Sequence, residues 1–215
     1  MGKLTDCIQS VPHLSPSILN LGMTTSLSLL QRLRADPKDT AWQNLVEIYT
    51  PLIQNWLRRH QVREADSDDI SQEVLAVVIR RLPEFEHNRR EGAFRNWLRT
   101  ITVNCLRDFW RSRKHRPTAT GDSDFQEMLA QLEDPASGLT QIWNQDHDRH
   151  VTRKLLEMLR PQFEPVTWQA FQRFALDGLS AAEVARELKV TTNVVFIAKS
   201  RVLARLRQEA EGLLE

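Results

Sequence analysis

Residues 179–207 read LSAAEVARELKVTTNVVFIAKSRVLARLR, and this pattern sets the fold class. Ser180 and Glu183 stand three apart at the start of an apolar-polar run, the spacing of a capping box. A short helix to Leu188 is expected, then Lys189-Val190-Thr191 as a turn, then a longer helix from Thr192 through Arg207. Val195, Ala198, Val202 and Leu206 recur at helical spacing and should face a core. Thr192, Asn193, Phe196, Lys199, Ser200 and Leu203 then project outward, with Arg201 beside them. A capped helix, a tight turn and a basic second helix form a helix-turn-helix pattern. In that geometry the second helix enters a DNA major groove by its N-terminal end.

Working outward, the rest of the chain is also helical in character. Pro is absent after Pro165, and between Pro83 and Pro117 there is a single Gly and no further Pro. No stretch alternates apolar and polar residues as a half-buried strand does. The expected fold is all-α, with two small helical domains joined by a flexible acidic linker. Of the 215 residues, 41% are apolar and 27% charged, and the net charge is +1. That balance excludes a globally basic nucleic-acid coat and a disordered acidic chain. Two cysteines, Cys7 and Cys105, exclude a disulfide scaffold and a cysteine-rich zinc site. No apolar run approaches the ~20 residues that span a bilayer.

Charge is distributed unevenly. Residues 117–147 carry Asp122, Asp124, Glu127, Glu133, Asp134 and Asp146 and no Lys or Arg. Pro117, Gly121, Pro135 and Gly138 fall in the same stretch, which reads as the linker; as a coil it would reach roughly 30 Å. Residues 1–24, with Pro12, Pro16 and several serines, read as a flexible leader. Two domains remain, residues 25–116 and 148–215.

In the first domain, helices are expected over Leu27–Leu33 and Thr40–Arg59, with Pro51 kinking or splitting the second. Asp66-Ser67-Asp68-Asp69 opens a third helix, suited to the positive end of a helix dipole. Ile70, Val74, Val77, Val78 and Leu82 form its core stripe. Asp68, Asp69, Gln72 and Glu73 are left on an outward acidic face, which solubility or a basic docking partner would equally explain. After a polar loop, a helix is expected from Ala93 to Lys114, with Phe94, Trp97, Leu98, Ile101, Cys105 and Phe109 inward. Arg95, Arg99, Arg107, Arg111 and Lys114 fall to other faces, spaced to neutralise phosphates. Trp110 among them reads as packing or as a platform for an unpaired base.

These strings resemble a family. The chain is similar to bacterial RNA polymerase sigma factors of the extracytoplasmic-function (ECF) type, which carry the second and fourth sigma regions. Asp68-Asp69-Ile70-Ser71-Gln72-Glu73-Val74 resembles the family's polymerase-docking helix. Phe94-Arg95-Asn96-Trp97-Leu98, with Ile101, Asn104, Asp108 and Arg111–Lys114, resembles its promoter-melting and minus-ten helix. The resemblance implies that Asp68, Asp69, Gln72 and Glu73 bind core RNA polymerase. It implies that the loop with His87, Asn88 and Arg89 captures a flipped base, beside Arg95, Asn96, Arg99, Arg107, Arg111 and Lys114. It further implies that Thr192, Asn193, Phe196, Lys199, Ser200 and Arg201 read the minus-thirty-five element. Many members place Lys-Ser-Arg where this chain has Phe196-Ile197-Ala198; here Lys199-Ser200-Arg201 follows about one turn later.

The expected function is a cytoplasmic sigma factor that directs core RNA polymerase to promoter DNA and assists strand opening. An anti-sigma partner is a family habit. No membrane association, cofactor or catalytic residue is expected. The alternative is a stand-alone helix-turn-helix regulator. An enzyme is disfavoured: His13, His60, His87 and His115 are scattered. His147 and His150, beside Asp146 and Asp148, read as solvated surface rather than a metal site.

Overall fold

The computed structural model describes residues 28–35, 41–59, 62–86, 92–113 and 122–214. The expected leader, the loop residues His87, Asn88 and Arg89, and Lys114 lie outside the described residues. Every regular element described is helical, with no strand among the described residues. The chain divides into two units, one of residues 33–148 and one of the described residues up to Arg32 together with 149–214.

The first unit is built on α2 (Ala41–Arg59), α3 (Glu64–Arg81) and α4 (Ala93–Arg113), which follow a short α1 (Leu29–Ala35). Leu45, Ile48, Leu52, Ile53, Trp56 and Leu57 bury one side of α2. Of the two outcomes expected at Pro51, a split does not occur: α2 runs through it. Its ring removes one N–H donor, to the carbonyl of Glu47. Glu47 lies on the exposed side, where water can serve that carbonyl. In α3, Ile70, Val74, Leu75 and Val78 are buried, with Leu82 just beyond. Asp66 and Ser67 in its first turn are buried too, and Arg63 Nε donates to Asp66 Oδ2 at 3.0 Å. An aromatic cluster closes the near end of α4: Phe85 lies 4.8 Å from Trp97 and 5.6 Å from Phe94, between ring centres.

The expected flexible linker is helical instead where it is described. α5 (Asp122–Glu133) and α6 (Gly138–Leu159) occupy it, and residues 122–148 belong to the first unit. The reason is apolar burial that the acidic composition obscures. Leu129, Leu132 and Trp143 are each nearly inaccessible, and Trp143 packs edge-on against Trp56 at 5.0 Å. The acids find basic partners: Glu133 pairs with Arg107, Asp146 with Arg59 and Asp148 with Arg95.

The second unit contains α7 (Pro165–Phe171), continued by a wider turn over residues 172–176, α8 (Ala181–Leu188) and α9 (Thr192–Ala210). Ala170, Val184, Ala185, Val195 and Ala198 form its core, with Phe174, Leu179, Leu188 and Val190 packed against it. Ser180 Oγ accepts from the Glu183 N–H, and Glu183 Oε2 accepts from the Ser180 N–H at 2.8 Å, closing the capping box. α8 ends at Lys189, which takes the left-handed conformation (φ 54°), and Thr191 caps α9. Arg32 holds Glu209 through two hydrogen bonds of 3.1 and 2.9 Å.

Candidate nucleic-acid interface

Two surfaces carry the functional expectations, one in each unit. In the first, α3 presents Asp68, Asp69, Gln72 and Glu73, all exposed. Gln54 Nε2 donates to Asp68 Oδ1 at 2.9 Å, which fixes one end of this acidic face to α2. A groove of about 770 Å³ runs between α3 and α4. Its charged lining is mixed: Asp69, Glu73, Arg80 and Arg81 come from α3, and Arg107, Asp108 and Arg111 from α4. Cys105 lines it, and its thiol is pushed up to about 11 by burial, with Glu73 and Asp108 adding to the effect. A thiol held protonated is a poor nucleophile and metal ligand.

The arginines of α4 separate into two classes. Asn96 and Arg111 are exposed, and Arg111 lies 3.7 Å from Asp108 in a solvated pair. Arg107 is partly exposed and tied to Glu133 of α5; their mutual hydrogen bond raises the guanidinium and lowers the carboxyl from their ordinary values. Arg95 and Arg99 are only 3% and 7% exposed, which corrects the expectation of outward cations. Arg95 pairs with buried Asp148, an anion that the reading of residues 117–147 as a tether placed out of reach. Arg99 Nη1 has no hydrogen-bond partner, and its pKa is lowered by burial and by neighbouring Arg95. Trp110 is half-buried.

Asp148 belongs to a larger buried network. His147 Nδ1 lies 2.9 Å from Asp148 Oδ1, and Tyr49 Oη 3.3 Å from His147 Nε2. His147 is fully buried and His150 nearly so, so the reading of both as solvated surface is corrected. Among the described residues no group of three or more His, Cys, Asp or Glu is arranged to hold a metal ion.

In the second unit, Val195, Ala198, Val202 and Leu206 are buried. Thr192, Asn193, Phe196 and Arg201 are exposed and Ser200 partly so. Lys199 and Leu203 depart from the expected outward set, at 7% and 4% exposed. The Lys199 stem packs inward and its ammonium sits 5.0 Å from the Phe174 ring centre, with its pKa lowered by burial. A long aliphatic stem and an aromatic face stabilise such a lysine. Val194 and Ile197 are exposed and were missing from the sequence-based set, because apolar residues beside a core stripe read as core.

Residues 45–116 match the family model for sigma-70 region 2. The RNA polymerase sigma factor CarQ of Myxococcus xanthus is 26% identical over 179 residues, covering 83% of this chain and 94% of that protein. The ECF RNA polymerase sigma factor SigE of Mycolicibacterium smegmatis is 24% identical over 155 residues. Residues 45–116 thus carry a sigma-70 region 2, and the chain is similar to ECF sigma factors.

The SigE match covers 72% of this chain and 56% of SigE. A probable RNA polymerase sigma factor of Xanthomonas campestris, RfaY, is 26% identical over 145 residues, covering 67% of this chain and 34% of that protein. The chain therefore spans about a third and about half of the lengths of two of these relatives. The region 2 match takes in most of α2, all of α3 and all of α4, so the acidic face, the groove and the α4 arginines lie within it. Among the described residues no helix is long and apolar enough to cross a membrane.

Proposed function

We propose that this chain is an ECF sigma factor that binds core RNA polymerase, directs it to specific promoters in the cytoplasm and assists strand opening. The observation that carries the reading is the region 2 match over residues 45–116, on a unit whose α3 exposes Asp68, Asp69, Gln72 and Glu73 together. A carboxylate-rich helix face beside a groove suits a basic helical partner, steering its approach and fixing its register. On this reading the acidic face docks on polymerase. The loop with His87, Asn88 and Arg89, together with Asn96, Arg107, Arg111 and Lys114, holds the opened minus-ten strand. Arg95 and Arg99 support that helix from within. α9 reads a second element as duplex, and a sequestering anti-sigma protein would compete for the same faces. The polymerase supplies the chemistry.

Run-off transcription with core polymerase and the DNA upstream of the protein's own gene tests this. Specific initiation that depends on the added chain supports the reading. Binding of that DNA without polymerase, and no transcript with it, would instead make the chain a stand-alone helix-turn-helix regulator.

A further inference from the structure

The outward face of α9 is apolar where a duplex reader commonly carries cations. Val194, Phe196 and Ile197 are 37%, 50% and 41% exposed, and Asn193 beside them is exposed as well. The helix buries Val195, Ala198, Lys199, Val202 and Leu203, so its first two turns offer no ammonium or guanidinium to a groove. Phe196 is held in place, edge-on against Phe174 with ring centres 5.4 Å apart. Before and after this strip in the chain, Arg186, Lys189 and Arg201 are exposed. The sequence contains no Asp or Glu from Leu188 to Gln208.

We infer that α9 selects A·T base pairs by packing Phe196 and Ile197 on the 5-methyl groups of thymine. The inference rests on the duplex-reading role proposed above for this helix and names what it reads. Thymine alone places a methyl group in the major groove, and asparagine can bond adenine N6 and N7 in bidentate fashion. Asn193, one turn before Ile197, is placed for that partner. The bidentate arginine or lysine that specifies guanine is missing from these two turns, because Lys199 is turned into the core. Charge complementarity favours DNA over an apolar protein as the occupant: exposed Lys189 and Arg201 share the acid-free segment with the strip, as phosphates flank a methyl-lined groove.

Duplexes are selected from a randomised pool by the full chain with core polymerase. Each thymine of the enriched element is then replaced by deoxyuridine, which deletes only the methyl group. Affinity is expected to fall about fourfold at one or two positions, the worth of one buried methyl. That loss should vanish in Phe196→Ala or Ile197→Ala, both at exposed positions, with circular dichroism confirming the fold. A guanine-centred element, neutral deoxyuridine at every position, or variants that keep wild-type affinity and preference would overturn the inference while leaving promoter recognition intact. Enrichment of no duplex, together with no initiation, would instead overturn the promoter reading and this inference with it.

Discussion

His147 Nδ1 donates to Asp148 Oδ1 at 2.9 Å, inside a network that also holds Tyr49 and Arg95. An ionised carboxylate only accepts, so the Nδ1 proton points at Asp148 and Nε2 is left to accept from the Tyr49 hydroxyl. That is the neutral imidazole. Burial lowers the His147 pKa, against the opposing pull of Asp148. Burial alone would raise the Asp148 carboxyl, but hydrogen bonds from His147 and Arg95, with the Arg95 charge, outweigh it and hold it below its ordinary value. Tyr49 is raised well above its usual range, by burial first and then by the Asp148 charge.

Acid should therefore loosen the first unit through His147. Between its lowered folded pKa and the unfolded value near 6.5, the unfolded chain binds more protons, so stability falls as pH drops through that window. The slope from one group is at most about 1.4 kcal/mol per pH unit. Depressed Asp148 adds a loss at lower pH, as it titrates through its own folded value. Urea unfolding from pH 7 to pH 5 should show a smaller decline in His147→Gln than in wild type. Equal declines would place the titrating group elsewhere.

Removing one partner of the Arg95–Asp148 pair should be severe. Asp148→Ala strands a guanidinium that is 3% exposed, with an expected cost of about 3–5 kcal/mol. Arg95→Met with Asp148→Leu removes both charges and should recover most of that loss. Denaturant midpoints of the single and double variants decide it.

Gly92 should resist substitution. Its φ is +69°, and an added Cβ would lie 2.5 Å from Arg95 Nη2. Gly92→Ala is expected to cost about 1–2 kcal/mol from the left-handed backbone alone. Displacing the Arg95 guanidinium from Asp148 adds to it, so thermal unfolding should show a loss beyond the backbone figure.

The acidic face predicts a binding defect without a folding defect. Asp69→Arg with Glu73→Arg should reduce core polymerase affinity at least tenfold. Both positions are exposed, so unfolding free energy should stay within about 0.5 kcal/mol per substitution. Unchanged affinity in a pull-down or titration would move the docking surface off α3.

Lys199 and Arg201 should differ in salt dependence. Arg201→Ala is expected to lower the log–log salt slope of duplex binding by about 1, as loss of one phosphate contact does. Lys199→Met should leave the slope unchanged, because that ammonium rests on Phe174 inside the unit. A lower slope in Lys199→Met would mean that the lysine swings out to DNA.

The sequence by itself determined the helical class, the capping box at Ser180 and the buried stripe Val195, Ala198, Val202 and Leu206. Each depends on residues within a turn or two of one another, and helical periodicity and backbone capping are local physics. It also determined the exposed acids of α3, because apolar neighbours on the same helix leave them only the solvent side. Tertiary structure decided the rest. Residues 122–148 fold as helices because Trp143 finds Trp56, and Glu133, Asp146 and Asp148 find Arg107, Arg59 and Arg95, partners that are distant in the chain. A charged side chain is placed outward by default, since burying it alone costs several kcal/mol. Arg95 and Lys199 escape that default only because the folded chain brings Asp148 to one and the Phe174 ring to the other.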